Sequence, residues 1–268
     1  MKIELKYKGE IYDMFDVIGL DLDGTLLKNN KTVSDKTLNT LIKFEKLGKQ
    51  IVIVTARPPR LEPIKLPEEL QREFMIYYNG AEIYHNKEKI FCKCLSLESA
   101  DYIKNLIMGE FEKCKIGFEI NNELYTNFKD DNVFGTNKFI TIDLKSFKLL
   151  SPTKILIDMR SIDDVDAFKL KLPQDCNIIV TDNGKLGQIM AKGVNKLNGL
   201  RCILDKLGAS LERVVFFGDD INDIELLKAC GTGVAMGNAV DEVKSIADFV
   251  TTSNDEDGIA VFLNKVNK

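Results

Sequence analysis

The sequence predicts an α/β fold, a parallel sheet covered by helices and interrupted by an inserted α+β domain. Short runs that are apolar throughout, such as DVIGL (16–20), QIVIVT (50–55) and RVVFF (213–217), alternate with helical patterns, which is the mark of βαβ units. Strands without a polar face need burial on both sides, and a helix-covered parallel sheet provides it. Between residue 82 and about residue 190 the balance shifts towards strands, so a separate unit is inserted there.

The first strand, DVIGL, precedes a helix that Ser34 caps and that sets Leu38, Leu41 and Ile42 on one face, with Gly48 placed for a left-handed terminal residue. QIVIVT and FMIYY (74–78) follow as strands. The insert carries the strand-like stretches KIFCKCL, KIGFEI, KFITIDL, KILIDM and NIIVTD around two helices, SADYIKNLIMGEFEKC and SIDDVDAFKLKL. Beyond it, Leu200, Ile203, Leu204 and Leu207 form a helical stripe ahead of Gly208, and RVVFF, GVAM (233–236) and DFVT (248–251) complete the sheet. The expected domains are a core of 1–81 with 190–268 and an insert of 82–189. Ahead of the first strand, MKIELKY and EIYDMF suggest an added hairpin.

Composition narrows the class of partner. The chain has 268 residues, 44% hydrophobic and 29% charged, as expected of a folded domain rather than a disordered one. With 37 basic and 41 acidic side chains the net charge is −4, and neither sign forms a long run, which disfavours nucleic acid and anionic membranes as partners. The N-terminus lacks a signal-like apolar core and no apolar run approaches ~18 residues, so a cytoplasmic protein with reduced thiols is expected. Cys92 and Cys94 read as alternating strand residues, and the single histidine, His85, as a surface loop residue. A small-molecule ligand and a monomer or weak homodimer are the expectation.

A parallel sheet carries its ligand at the carboxyl ends of its strands. Asp21 and Asp23 follow the first strand, Thr55 and Arg57 the second, and Asp219, Asn222 and Asp223 follow RVVFFG. Alternate residues of an extended segment point to one side, so the carboxylates of Asp21 and Asp23 would repel unless neutralised. Mg²⁺, with oxygen ligands that include Asp219, resolves the conflict. D-L-D-G-T alone is also a common Asp/Gly turn, and G-D-D-I-N-D alone a solvated helix start. Their joint occurrence at equivalent strand ends, with Thr55 and Lys196, favours a reactive site. No G-x-x-x-x-G-K-[ST], G-x-G-x-x-G or G-x-S-x-G pattern is present, and one histidine rules out H-E-x-x-H.

D-L-D-G-T (21–25), V-T-A-R (54–57), G-V-N-K (193–196) and G-D-D-I-N-D (218–223) resemble the four motifs of the haloacid dehalogenase superfamily of phosphatases. Y-N-G-A-E-I (78–83), G-V-A-M-G-N-A (233–239) and N-D-E-D-G-I-A (254–260) resemble its Cof-type branch, and the insert is similar to that branch's large α/β cap. The resemblance implies a Rossmann-like core, a cap that closes over the site and a phosphatase acting on small phosphate esters such as sugar phosphates. It implies that Asp21 forms an aspartyl phosphate, that Asp23 is acid and then base, and that Asp21, the Asp23 carbonyl and Asp219 bind Mg²⁺. Lys196 would balance charge, Thr55, Arg57 and Asn222 would contact the phosphoryl group or substrate, and Asp223 would act from behind these ligands. A phosphomutase or phosphotransferase is the alternative enzyme, and a non-catalytic phospho-ligand sensor the alternative of another class. The second motif departs from the family's usual Gly-Arg by carrying Ala56-Arg57.

Overall fold

The computed structural model describes residues 14–60, 64–129, 133–136 and 138–266. Apart from Met14 and Phe15, the suggested N-terminal hairpin lies outside them. The described chain divides into two compact units.

The first unit holds residues 14–57, 64–90 and 195–266. Its elements in chain order are β1 (Val17–Asp21), α1 (Asp35–Lys46), β2 (Gln50–Val54), β3 (Phe74–Tyr77), β4 (Glu82–His85) and β5 (Glu88–Cys92), which runs on into the second unit. The second unit, Phe91–Val194 with Pro58–Arg60, continues with α2 (Leu97–Glu110), β6 (Ile116–Ile120), β7 (Glu123–Thr126), β8 (Ile140–Thr141), β9 (Lys154–Asp158), α3 (Val165–Leu170), β10 (Cys176–Thr181) and β11 (Leu186–Ala191). The chain then returns to the first unit for α4 (Lys196–Leu207), β12 (Val214–Gly218), α5 (Ile224–Ala229), β13 (Thr232–Ala235), α6 (Asp241–Ile246), β14 (Phe249–Val250) and α7 (Gly258–Val266).

The first unit's sheet runs β14-β13-β12-β1-β2-β3-β4-β5, and it is parallel from β14 to β3. The expectation of doubly buried strands is met: Ile18, Leu20, Phe216 and Phe217 are fully buried, each contributing about 1.5–3 kcal/mol relative to exposure. Ser34 caps α1 by accepting from the Thr37 N–H at 3.0 Å, and Gly48 takes φ +84° at its end. The buried stripe of α1 is Thr37, Thr40, Leu41 and Phe44, rotated from the expected one because the helix also packs against α7. Leu38 and Ile42 are half-buried at its margin. Asn195 caps α4, and Gly208 ends it with φ +64°.

The insert starts later than its expected residue 82. β3 pairs antiparallel with β4, so Glu82–His85 extends the first sheet instead of leaving it. The insert also ends later than residue 189, a position inside β11. That strand pairs with both β9 and β10, so cutting it would break the second sheet.

The second unit's sheet runs β10-β11-β9-β6-β7-β8. One face, carrying Phe118, Ile155, Ile157 and Ile189, packs with Ile103, Ile107 and Phe168 of α2 and α3 into its core. On the other face Glu119 is paired across strands with Lys154 and receives both Nη atoms of Arg60 at 2.7 Å. Lys154 in turn donates to Gln188 Oε1 at 2.9 Å. Among the described residues no helix is long and apolar enough to cross a membrane.

Candidate active site

Register builds the site. Leu20 pairs with Phe217 and with Ile53, and Asp21 with Val54, so β1, β2 and β12 end at one edge of the sheet. Asp21, Thr55 and Asp219 stand at those ends. α4 begins with Lys196, and a 3₁₀ turn over Ile221–Asp223 follows β12.

Lys196 is the centre of the arrangement. Its Nζ donates to Asp21 Oδ1 at 2.7 Å, to Asp223 Oδ1 at 2.7 Å and to Asn222 Oδ1 at 3.2 Å. Lys196 and its two ionic partners, Asp21 and Asp223, are buried, Asp223 completely. The second oxygen of Asp223 accepts from the backbone N–H groups of Asp219 and Asp220. The close approach of Asp223 also explains Gly218, since a Cβ there would lie 2.7 Å from the Asp223 Cβ.

Asp219 accepts from the Thr25 hydroxyl at 2.8 Å. Its carboxylate occupies space that only Gly24 leaves open, because a Cβ on Gly24 would come within 2.2 Å of Asp219 Oδ2, and Gly24 adopts φ +76°. Asn238 donates to the Gly24 carbonyl and Asn254 to that of Leu27, both at 2.8 Å. The segments G-N-A and N-D-E-D-G thus brace the loop after β1.

Asp23 belongs to a different set of bonds. Arg57 forks its carboxylate through Nε at 2.6 Å and Nη2 at 2.8 Å, and Lys31 reaches it at 2.9 Å. The repulsion expected between Asp21 and Asp23 is therefore relieved by separate cations. Thr55 is buried, and its Oγ1 accepts from the Arg57 backbone N–H at 3.1 Å.

Burial raises the Asp21 carboxyl well above its usual range, and Asp223 adds to this while Lys196 opposes it. Burial pushes Asp219 up to about 6 despite the Thr25 hydroxyl. Burial alone would lower the Lys196 ammonium, but Asp21 and Asp223 outweigh it and raise it. For Asp23 burial is likewise outweighed, here by Arg57 and Lys31, so its carboxyl is lowered.

Asp21, Asp219 and Asp223 offer carboxylate oxygens within 4.8 Å of one another. Three carboxylates around one lysine leave surplus negative charge in a buried place, and hard oxygen donors in that setting fit Mg²⁺. Both oxygens of Asp223 are already engaged, whereas the bonds above use one oxygen each of Asp21 and Asp219. Asp21 and Asp219 are therefore the side chains suited to hold the ion, with Asp223 orienting Lys196 and the backbone of Asp219.

The motif residues Asp21, Lys196, Asn222, Asp219 and Asp223 come together as expected. Arg57 stands beside them with its guanidinium on the Asp23 carboxylate. Sequence reasoning missed Thr25 and Gly24, although both lie in D-L-D-G-T, and missed Lys31, whose loop carried no signal.

The family model for haloacid dehalogenase-like hydrolases matches residues 18–263. The 5-amino-6-(5-phospho-D-ribitylamino)uracil phosphatase YitU of Bacillus subtilis (strain 168) is 32% identical over 262 residues, covering 93% of this chain and 96% of its own. A second phosphatase of that name, YcsE, from the same organism is 30% identical and covers 91% and 92%. The crystal structure of a haloacid dehalogenase-like hydrolase from Bacteroides thetaiotaomicron superposes with a TM-score of 0.78 at 27% identity, covering 94% of this chain and 99% of that one.

Proposed function

The chain belongs to the haloacid dehalogenase-like hydrolase family and is a phosphatase; from that premise we propose that it hydrolyses small phosphate esters, sugar phosphates and related metabolites, through an aspartyl phosphate on Asp21. The observation that carries this reading is the buried Asp21 carboxylate at the end of β1, held 2.7 Å from Lys196 Nζ. A nucleophilic carboxylate must be aimed and its charge balanced at the moment of attack; the buried lysine aims it and opposes the upward pull of burial on its carboxyl. The ribitylaminouracil phosphate named for the two Bacillus relatives is an ester of this small polyhydroxy class.

In the first step an Asp21 oxygen bonds to phosphorus, the bond from phosphorus to the ester oxygen breaks, and Asp23, which takes up a proton from solvent once the entering phosphate draws Arg57 and Lys31 off its carboxylate, gives that proton to the departing alcohol. In the second, Asp23 takes a proton from water as the water oxygen attacks phosphorus, and the Asp21 oxygen leaves. Dividing one displacement into two lowers each barrier. Lys196 neutralises charge between Asp21 and the phosphoryl oxygens, while the Thr55 hydroxyl and the Asn222 amide seat those oxygens. Asp223 keeps Lys196 in place.

Mg²⁺, held by Asp21, the Asp23 backbone carbonyl and Asp219, would supply charge neutralisation at the phosphoryl group. The second unit would act as a cap that excludes water and selects the leaving group.

A screen of phosphate esters with Mg²⁺, repeated with chelator, tests the proposal. Release of inorganic phosphate from a subset of sugar-type esters, abolished by chelator and restored by Mg²⁺, is expected. Hydrolysis indifferent to chelator, or transfer to added sugar acceptors in place of water, would contradict it.

A further inference from the structure

The spacing Cys92-x-Cys94 alone predicts two residues on one face of a strand. The structure does something else. β5 ends at Cys92, so Cys94 lies beyond the strand, and the two Sγ atoms stand 3.0 Å apart. That separation is about 1 Å longer than a disulfide bond. Cys92 is exposed and Cys94 half-buried, so a small reagent reaches the pair. Burial pushes the thiols of Cys114, Cys176 and Cys230 up to about 12, which keeps those three protonated.

The pair also has a particular place in the chain. The long excursion into the second unit begins between Ile90 and Phe91 and ends between Val194 and Asn195. Cys92 and Cys94 therefore sit on the outgoing link. Between them, Lys93 Nζ donates to the Lys192 carbonyl at 2.7 Å, tying the outgoing link to the returning one.

We propose that Cys92 and Cys94 form a reversible dithiol–disulfide switch on the link into the second unit, oxidised by low-molecular-weight disulfides of the glutathione class. One cysteine thiolate attacks the reagent's disulfide and displaces one thiol. The second cysteine then attacks the protein sulfur of the mixed disulfide and displaces the other thiol. Two electrons and the two thiol protons pass to the reagent, one intramolecular S–S bond forms, and reduced thiols reverse the exchange. A disulfide of this kind in a reducing compartment is transient and sensing rather than structural. The closed ring contains Lys93, so it stiffens the link and slows steps that need the insert to move.

The test uses the full chain and its Cys94→Ser variant in buffers of reduced and oxidised glutathione, with alkylation of remaining thiols, peptide mapping and a hydrolysis assay. The expected result is a Cys92–Cys94 peptide lighter by two hydrogens in the wild type, turnover lowered roughly three- to tenfold, and full recovery with dithiothreitol. Cys94→Ser should keep its turnover under oxidation and accumulate only a glutathione adduct at Cys92. Complete alkylation of both cysteines in oxidised buffer, protection of the pair by stoichiometric zinc, or a mapped disulfide with unchanged turnover would each overturn the proposal. Mapping the disulfide needs no turnover, so a failure here is distinguishable from a failure of the phosphatase mechanism.

Discussion

Arg57 holds Asp23 by a two-point fork, Nε at 2.6 Å and Nη2 at 2.8 Å. A planar guanidinium matched to a carboxylate fixes direction as well as charge, which lysine cannot reproduce. Asp23 is thus kept ionised and oriented before substrate arrives, and its proton-donating role requires the fork to loosen as the phosphate enters.

Replacing Asp23 by Asn should lower kcat by roughly 10² to 10⁴, the usual scale for loss of a general acid and base. Arg57→Lys should retain substrate binding but lose roughly tenfold in kcat, because charge survives and the fork does not. Steady-state kinetics on an ester found by the screen checks both. Unchanged kcat in Asp23→Asn would remove Asp23 from the mechanism.

Lys196 bridges two buried carboxylates, Asp21 and Asp223, at 2.7 Å each. Removing it strands both, and breaking a buried pair by deleting one partner costs about 3–5 kcal/mol. Lys196→Met should therefore unfold at lower denaturant and lose turnover. Added Mg²⁺ should restore part of the stability without restoring turnover, since the ion relieves Asp21 but cannot replace the lysine at the phosphoryl group. Urea melts with and without Mg²⁺, beside an activity assay, separate the two effects.

Glu73 gives a pH prediction away from the site. Burial raises its carboxyl to about 7, with Glu45 adding and the Ile51 N–H opposing. The folded state therefore keeps a proton that the unfolded chain loses near its ordinary value of 4.5. Stability from this group is full below that value, declines as pH rises and is gone above about 7. Glu73→Gln should abolish this decline and stabilise the protein at pH 8 by about 1–3 kcal/mol. Chemical denaturation between pH 4.5 and 8 is the measurement, and a wild-type curve parallel to the variant's would refute the assignment.

Much of the core was legible because its strands are apolar throughout and each ends in residues suited to one task. Asp21, Thr55 and Asp219 declared themselves at those ends, and Ser34, Gly48 and Gly208 marked helix boundaries by local chemistry. What was hidden depends on distant partners. Nothing near Arg57 in sequence shows that Asp23, 34 positions away, consumes its guanidinium. Gly24 and Thr25 looked like turn residues until Asp219 arrived from β12. β4 was read into the insert because a strand that adds antiparallel to a parallel sheet shows no helix before it, and KFITIDL contributes only Ile140–Thr141 as strand. The convergence of Cys92 and Cys94 depends on where β5 stops, which apolar patterning does not fix.

The central claim is that phosphoryl transfer passes through the side chain of Asp21. A crystal structure of the protein with Mg²⁺ and beryllofluoride tests it directly. Density for the anion on an Asp21 oxygen, with Lys196 Nζ and the Thr55 hydroxyl turned to its fluorines and the ion between Asp21 and Asp219, is the predicted result. Anion bound elsewhere, with Asp21 still paired only to Lys196 and no ion beside it, would contradict the account.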